Sequence, residues 1–151
     1  MLQLARESDW EPVRALSVQI HDLHAAWRPD LYHHSDEPYP QEQFLEDIRN
    51  RMVYTAKIND TVVGYVVLSL LQKGGPGVLS YKALRLDVVC VDKNARRQGI
   101  GKAMVQDVRA LARAFGCQQL LLSVHPENDD AVSFYQKCGF CIRTIQMDMK
   151  I

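Results

Sequence analysis

A short basic loop with two glycines, residues 92–102, constrains this chain more than any other part of its sequence. It follows an apolar stretch that ends at Val91, and a helical pattern follows it. The unpaired N–H groups and the positive dipole at the start of a helix bind phosphate. Because Gly99 and Gly101 carry no side chain, a phosphate group can approach the backbone there. The sequence therefore predicts a phosphate-binding strand–loop–helix unit.

The charges and glycine spacing of this loop narrow the class of phosphate compound. Arg96, Arg97 and Lys102 supply positive charge. The Walker pattern is absent, since no glycine run ends in Lys followed by Ser or Thr, and the dinucleotide pattern G-x-G-x-x-G is absent as well. What remains is Arg96-x-x-Gly99-x-Gly101. Taken alone, these six residues are also compatible with an ordinary β–α turn.

Hydrophobic periodicity divides the chain into ten elements. Apolar residues three and four apart predict helices, and apolar alternation or short apolar runs predict strands. Residues 73–80 contain three glycines and a proline and are predicted to be a loop. Alternation along residues 81–91 places Asp87 on the same strand face as Val91. The predicted strands are 1–5, 53–58, 61–71, 81–91, 120–124 and 140–149, and the predicted helices are 10–27, 41–51, 99–115 and 128–137.

A second segment, residues 128–140, reads N-D-D-A-V-S-F-Y-Q-K-C-G-F. With the glycine loop one helix and one strand earlier, it resembles the motifs R/Q-x-x-G-x-G/A and N-x-x-A-x-x-F-Y-x-x-x-G-F of the GCN5-related N-acetyltransferase (GNAT) superfamily. The resemblance rests on residues 81–141, and residues 1–80 fit only loosely. It implies one GNAT domain over residues 1–151, of mixed α/β class. We expect a central, mostly antiparallel twisted sheet flanked by helices, in the order β-α-α-β-β-β-α-β-α-β.

The resemblance also implies a reaction, the direct transfer of an acetyl group from acetyl-CoA to an amine, and no metal. The loop backbone would hold the pyrophosphate, and backbone groups freed where two strands splay apart would pair with the pantetheine arm. A backbone N–H at that point can also stabilise an oxyanion. The positions carried over to acetyl-CoA binding are Val89, Cys90, Val91, Arg96, Arg97, Gln98, Gly99, Ile100, Gly101, Lys102 and Asn128, the last of which also suits a helix N-cap.

Two catalytic roles follow from the resemblance. Tyr135 matches the general acid for the leaving thiolate, and a phenol pKa of about 10 lies close to a thiol pKa of about 8.5. An amine with a pKa of about 10.4 must lose a proton first, and Asp87 matches an acidic position of several members. Because an ordinary aspartate is a weak base, His24, His33 and His34 are rivals for that role. The alternatives are a core aromatic at Tyr135 and an ion-paired surface aspartate at Asp87.

A histidine-rich segment, residues 21–34, flanks the acceptor pocket in the superfamily. Aromatic and acidic residues there suit a cationic amine, and the predicted substrate contacts are His24, Trp27, Tyr32 and His33. Their spacing matches no defined zinc pattern, and a solvated loop with a core Trp explains the same residues. A small-molecule amine is the first hypothesis for the acceptor. The second hypothesis is a protein N-terminus or a lysine as the acceptor, and the third is a non-catalytic acyl-CoA-binding module. A small amine needs a closed pocket and a peptide needs an open groove, so the path of the loop 28–40 decides between these two acceptors.

The composition and charge of the chain limit the kinds of binding partner that we expect. Eighteen Lys and Arg balance eighteen Asp and Glu, which argues against nucleic acid or an anionic membrane as the main partner. Charges begin at Arg6 and no apolar stretch is long enough to span a bilayer. We therefore expect a cytoplasmic protein whose four cysteines are free thiols. The resemblance is compatible with a homodimer.

Overall fold

The structure is a computed structural model that describes residues 1–151. Its five strands form one sheet in the order β1-β2-β3-β4-β5, antiparallel except for the parallel pair β4 and β5. The mixed α/β fold class is thereby confirmed. None of the helices is long and apolar enough to cross a membrane. The elements are β1 Leu2–Leu4, α1 Trp10–Trp27, α2 Gln41–Arg49, β2 Val53–Ile58, β3 Thr61–Gly75, β4 Val78–Val91, α3 Ile100–Ala114, β5 Gln119–Leu122 and α4 Asp129–Lys137.

Each face of the sheet carries one hydrophobic core. Helix α3 places Met104 and Val108 against Leu84 and Leu86 of β4, because residues four apart lie on one side of a helix. Helices α1 and α2 cover the opposite face. Each large apolar side chain that is fully buried contributes about 1.5–3 kcal/mol to stability. The second core is formed by Ala5, Trp10, Val13, Leu16, Phe44, Val53, Tyr65, Val67 and Cys90.

An ion pair between the buried Asp9 and the half-buried Lys57 connects the start of α1 to β2. The Asp9 carboxylate accepts a hydrogen bond from Lys57 Nζ at 2.6 Å and another from the backbone N–H of Arg6 at 3.0 Å. The Thr55 hydroxyl donates to the same carboxylate at 3.3 Å. Because a buried carboxylate without partners is costly, these contacts determine where α1 begins.

The prediction of a loop at residues 73–80 was wrong. Strands β3 and β4 continue through this segment as a hairpin, and Gly75 pairs with Val78. Gly77 has φ +73°, a left-handed value that tight turns require and glycine adopts without strain. The glycines therefore shape the turn and do not interrupt the strands.

A β-bulge in β4 also overturns the predicted alternation of faces. Leu68 pairs with Leu86 and Val67 pairs with Val88, so Asp87 is an extra residue without a partner on β3. A bulge shifts the strand by one residue, which exchanges the two faces beyond it. Leu86 and Val91 consequently pack on the α3 core, and Asp87 does not share the face of Val91.

The strand predicted at residues 140–149 is not formed. The order β-α-α-β-β-β-α-β-α is found as expected, but no strand follows α4. Residues 141–151 are exposed and make no backbone–backbone hydrogen bond. An alternating sequence becomes a strand only when another strand pairs with it, and no segment of the chain does so.

Candidate functional site

The loop after β4 is tied to the end of the strand. The backbone N–H of Asp92 donates to Val63 O at 2.8 Å, and the Asp92 carboxylate accepts from the N–H of Asn94 at 2.7 Å. The hydrogen bond from Asn94, and a second one from the Gln19 side chain at 3.2 Å, lower the pKa of Asp92. Arg96 then reaches back and donates from Nε to Val91 O at 3.1 Å. The loop therefore has a defined course from the strand to α3.

The backbone of residues 96–102 presents a row of unused hydrogen-bond donors. None of their N–H groups donates to another group of the protein. Arg97 and Gly99 have φ values of +63° and +80°, and alternating left- and right-handed residues turn successive N–H groups into a concave anion site. Gly99 is also the N-cap of α3, where the helix dipole is positive. This loop can therefore bind a phosphate group.

The two glycines of the loop have different roles. A Cβ added to Gly99 would meet nothing within 4 Å, so this glycine is required by its left-handed backbone. A Cβ on Gly101 would lie 3.2 Å from Phe134 Cζ of α4 and 3.8 Å from Val91 Cγ2. The missing side chain of Gly101 therefore leaves room for the Phe134 ring, and the approach of a phosphate to the Gly101 backbone stays a prediction.

Strands β4 and β5 separate at the level of this loop. Their pairing runs only from Ala83 opposite Gln119 to Leu86 opposite Leu122. Beyond Leu86, β4 continues to Val91 and pairs on its other edge with β3 alone. Beyond Leu86, this edge of β4 is thus not paired with a strand, and Val91 O accepts from Arg96 Nε instead. Pantetheine binding by Val89, Cys90 and Val91 stays a prediction.

The predicted acetyl-CoA-binding residues differ in whether their side chains are accessible. Cys90 and Ile100 can offer only their backbone to a ligand. The Cys90 thiol is buried, donates to Leu16 O at 3.6 Å and has its pKa raised to about 12, mainly by burial. Ile100 is buried in the α3 core. Gln98 is exposed and donates to Asn94 O at 3.5 Å, while Lys102 is exposed at the start of α3.

Tyr135 lies on α4 between two aromatic rings. Its ring centroid is 5.1 Å from that of Phe134 and 5.6 Å from that of Phe140, both in edge-to-face geometry. Its hydroxyl has no hydrogen-bond partner within the protein, and burial raises its pKa to about 12. The thiols of Cys138 and Cys90 add to that shift, so the tyrosine lies near the end of β4. Tyr135 is therefore a protonated phenol with a free donor.

Asn128 caps α4, as its alternative interpretation predicted. Its side-chain oxygen accepts from the backbone N–H of Ala131 at 3.1 Å. The side-chain amide nitrogen makes no hydrogen bond with the protein and can still contact a ligand.

A cluster of aromatic rings and imidazoles lies at the carboxyl end of β5. His24 is its centre, with ring centroids 5.8 Å from Trp27, 6.0 Å from Tyr32 and 5.1 Å from His125. Burial lowers the pKa of His24, and the neighbouring His125 and His21 lower it further. His24 is therefore neutral at neutral pH. We refer to His24, Trp27, Tyr32 and His125 as the aromatic cluster.

His125 was missed by the sequence analysis. It comes three residues after β5 ends at Leu122, and the carboxyl ends of parallel strands are where ligands bind in open α/β sheets. That position was the signal available in the sequence.

Two of the predicted residues lie outside this cluster. His33 is exposed, and its Nδ1 contacts His34 O at 2.8 Å rather than another ring. His34 is exposed between Asp22 and Asp36, whose hydrogen bonds raise its pKa. His33 therefore lies outside the aromatic cluster, and its contact with the substrate stays a prediction.

Asp87 lies in the bulge and is ion-paired. Arg85 Nε donates to its carboxylate at 2.5 Å, and both residues are exposed. This is the ion-paired surface aspartate that the sequence analysis gave as the alternative to a catalytic base.

The loop 28–40 folds back along α1. Arg14 Nη1 donates to Asp36 O at 3.1 Å, and His21 Nε2 contacts His33 O at 2.7 Å. This course brings the Tyr32 ring centroid to 6.0 Å from that of His24 and 6.2 Å from that of His125. The loop therefore contributes one ring to the aromatic cluster. No group of three His, Cys, Asp or Glu side chains is placed to hold a metal ion, and all four cysteines are free.

Comparison with known proteins identifies the family. The family model described as the acetyltransferase (GNAT) family matches residues 18–140. Glucosamine 6-phosphate N-acetyltransferase 1 from Oryza sativa subsp. japonica is 36% identical over 61 residues, which cover 40% of this chain and 35% of that protein. N-alpha-acetyltransferase 30 from Schizosaccharomyces pombe is 28% identical over 88 residues, which cover 58% and 56%. Across the curated relatives that match, the aligned segment spans between 19% and 56% of the relative's own length.

Solved structures share the fold over the whole chain. A crystallised mutant of the BH1408 protein from Bacillus halodurans has a TM-score of 0.95 at 22% identity and covers 100% of this chain and 99% of its own. The aminoglycoside N-acetyltransferase AAC(6')-Iy in complex with CoA has a TM-score of 0.71 at 17% identity and covers 100% of both chains.

Proposed function

Because this chain belongs to the acetyltransferase (GNAT) family, we propose that it transfers the acetyl group of acetyl-CoA to a primary amine of a small molecule. The observation that supports this proposal most directly is the opening between β4 and β5. An anion-binding loop lies on one side of it, and the aromatic cluster lies at the carboxyl end of β5. Residues 1–151 would act as one N-acetyltransferase domain.

The loop would hold the pyrophosphate of acetyl-CoA. Its free N–H groups supply the hydrogen bonds, and Arg96, Arg97 and Lys102 supply the charge. The exposed Arg97 pairs with Asp130 at 3.1 Å, and an exposed pair of this kind is easily exchanged for a phosphate. The unpaired edge of β4 at Val89 and Val91 would take the pantetheine amides, and an N–H there would stabilise the oxyanion.

The chemistry requires three proton steps. One proton leaves the ammonium group before attack, a second leaves the nitrogen as it bonds to the carbonyl carbon, and the departing sulfur takes one up as the C–S bond breaks. A phenol with a pKa of about 12 remains protonated beside a thiol with a pKa of about 8.5. Tyr135 would therefore stabilise the departing sulfur chiefly as a hydrogen-bond donor.

The imidazoles of the aromatic cluster are better placed to take the amine proton than Asp87. An imidazole with a pKa somewhat below 6.5 is a stronger base than an aspartate of about 3.9. His24 is kept neutral by its surroundings, whereas Asp87 is already paired with Arg85. We therefore assign the base to His24 with His125, and Asp87 is the alternative.

Two observations favour a small amine over a peptide. Hydrogen bonds hold the loop 28–40 along α1, and Tyr32 lies beside His24, which favours a bounded pocket for a small amine over an open groove for a peptide. Relatives and structural neighbours are also described as glucosamine 6-phosphate and aminoglycoside N-acetyltransferases. One relative is described as an N-alpha-acetyltransferase, so a peptide acceptor is the second candidate.

The test is thiol release from acetyl-CoA against amino sugars, polyamines, amino acids and short peptides. We expect release with one class of small amine and a mass increase of one acetyl group on that amine. Release with peptides alone would replace the small-molecule acceptor by a protein. Binding of acetyl-CoA without release for any acceptor would support a non-catalytic acyl-CoA-binding module.

A further inference from the structure

Side chains hold the loop 28–40, which forms no helix or strand, against α1. Arg14 and His21 of α1 each contact a backbone carbonyl of the loop, at 3.1 Å and 2.7 Å. Both attachments survive a rise in pH, because arginine keeps its charge and a neutral imidazole still has one N–H to donate to a carbonyl. The third attachment is made by the His34 imidazole of the loop, and histidine changes its charge near neutral pH.

The His34 imidazole lies between two carboxylates. Its Nδ1 is 2.8 Å from Asp22 Oδ1 on α1, and its Nε2 is 3.0 Å from Asp36 Oδ1 on the loop. A carboxylate offers only acceptors, so each ring nitrogen must carry a proton for both hydrogen bonds to form. A neutral imidazole has one N–H, and its other nitrogen would turn a lone pair toward a carboxylate. The observed arrangement therefore fits the imidazolium form.

The charged groups that face His34 come from α1 and from the loop itself. Its hydrogen bond to Asp22 is the largest cause that raises its pKa, and the bond to Asp36 is the next. Arg14 also reaches Asp36, but through the backbone carbonyl. The rings of His21 and His33 contact backbone carbonyl oxygens and not the ring of His34. His34 therefore keeps its proton to a pH above the ordinary 6.5.

The same loop carries Tyr32 into the aromatic cluster, two residues before His34. The Tyr32 ring centroid lies 6.0 Å from that of His24 and 6.1 Å from that of His21. Both of these imidazoles belong to α1. The place of Tyr32 in the cluster therefore depends on how closely the loop is held to this helix.

We propose that His34 is a pH-dependent clasp, which holds the loop 28–40 and Tyr32 on α1 while it is protonated and loosens this loop when it is neutral. Loss of the proton removes one hydrogen bond outright. It also removes the charge from the other bond, and charge-assisted hydrogen bonds are roughly twice as strong as neutral ones. The contacts of Arg14 and His21 remain, so the loop becomes more mobile but stays on the helix.

NMR of the free protein tests the clasp without acetyl-CoA or an acceptor. The His34 ring resonances should titrate at a pH above 6.5, and the order parameters of the backbone amides of residues 31–37 should fall over the same pH range. In His34→Gln these order parameters should not depend on pH, because glutamine does not titrate. His33→Gln is the matched control and should keep the pH dependence, since the His33 ring contacts only a carbonyl oxygen of the loop.

Steady-state kinetics test the consequence for the acceptor site, which rests on the function proposed above. The probe is the small amine with the fastest thiol release in the acceptor screen. Its KM is compared between His34→Gln and the unsubstituted protein at each pH, because the ratio of the two values cancels the protonation of the amine itself. We expect a ratio of roughly 2 to 5 at about pH 6 and of about 1 at about pH 8.5, since one exposed ion pair has a small effect.

The outcomes separate the clasp from the enzymatic function. Order parameters of the loop that stay constant while His34 titrates would overturn the clasp, and so would a pH dependence that persists in His34→Gln. A KM ratio that is the same at both pH values, beside a loop that does loosen, would overturn the effect on the acceptor site. If the proposed function is wrong, no amine is acetylated, and the NMR titration still decides whether the clasp exists.

Discussion

The imidazoles of His24 and His125 lie 5.1 Å apart, although one belongs to the first long helix and the other follows the last strand. After burial, the proximity of His125 is the next cause that lowers the pKa of His24. The pair joins α1 to the carboxyl end of β5, next to the place where β4 and β5 separate. It is the relationship on which the proposed acceptor site depends.

Replacement of either imidazole should impair catalysis. We expect His24→Gln and His125→Gln each to lower kcat/KM on the order of 100-fold with little change in acetyl-CoA affinity, because a positioned base contributes roughly 10²- to 10⁴-fold. His33→Gln is the matched control and should leave kcat/KM unchanged, since its ring lies outside the cluster. If Asp87→Asn lowers kcat/KM and both histidine variants do not, Asp87 is the base.

His24 should also make stability depend on pH. Its pKa in the folded protein is below the unfolded value of 6.5, so the unfolded chain binds more protons at acid pH. The free energy of unfolding therefore falls as the pH decreases below about 6.5. We expect His24→Gln to weaken this fall in urea titrations between pH 7.5 and 5.5. His34→Gln should act in the opposite direction, because the pKa of His34 is raised.

Loss of the Tyr135 hydroxyl should slow the chemical step. We expect Tyr135→Phe to lower kcat on the order of 100-fold while acetyl-CoA binding, measured by calorimetry, is kept. Its packing between Phe134 and Phe140 does not require the hydroxyl, so the Tm should change little. Tyr54→Phe, on the β2 side of the α3 core, is the control. Equal kcat in both variants would exclude Tyr135 from the reaction.

The two glycines of the loop should respond differently to alanine. Gly99→Ala forces a Cβ onto a left-handed residue and should lower the free energy of unfolding by about 1–2 kcal/mol, although the space beside it is open. Gly101→Ala gains helix propensity but presses on Phe134. We therefore expect a near-neutral effect that becomes stabilising in a Phe134→Leu background. Urea unfolding of the double-mutant cycle measures this coupling, and its absence would contradict the contact.

The pair of Asp9 and Lys57 should contribute far more to the free energy of unfolding than the exposed pair of Glu11 and Arg14 in the first turns of α1. Asp9→Ala leaves Lys57 without its partner and should cost about 3–5 kcal/mol of stability. Glu11→Ala breaks the exposed pair with Arg14 and should cost less than about 1 kcal/mol. Similar losses for both in urea unfolding would show that the Asp9 pair is not buried in solution.

The sequence by itself determined the local structure and the family. Helical periodicity set α1 at residues 10–27, and the two glycine-containing motifs identified the family that the comparisons found. Signals of this kind lie within one or two turns of helix or one strand, where a residue acts through its own backbone preference or through neighbours three or four positions away.

Only the tertiary structure decided which residues meet. The bulge at Asp87 exchanges the faces of β4, and it follows from the pairing with β3 rather than from the sequence of β4. His125 meets His24 because the end of β5 lies beside α1, and Phe134 fills the space beside Gly101 because α4 packs against the start of α3. Residues 140–149 have the pattern of a strand, yet whether they pair depends on the edge of a second strand. Contacts between distant segments are fixed by packing and pairing, and a single sequence does not encode them position by position.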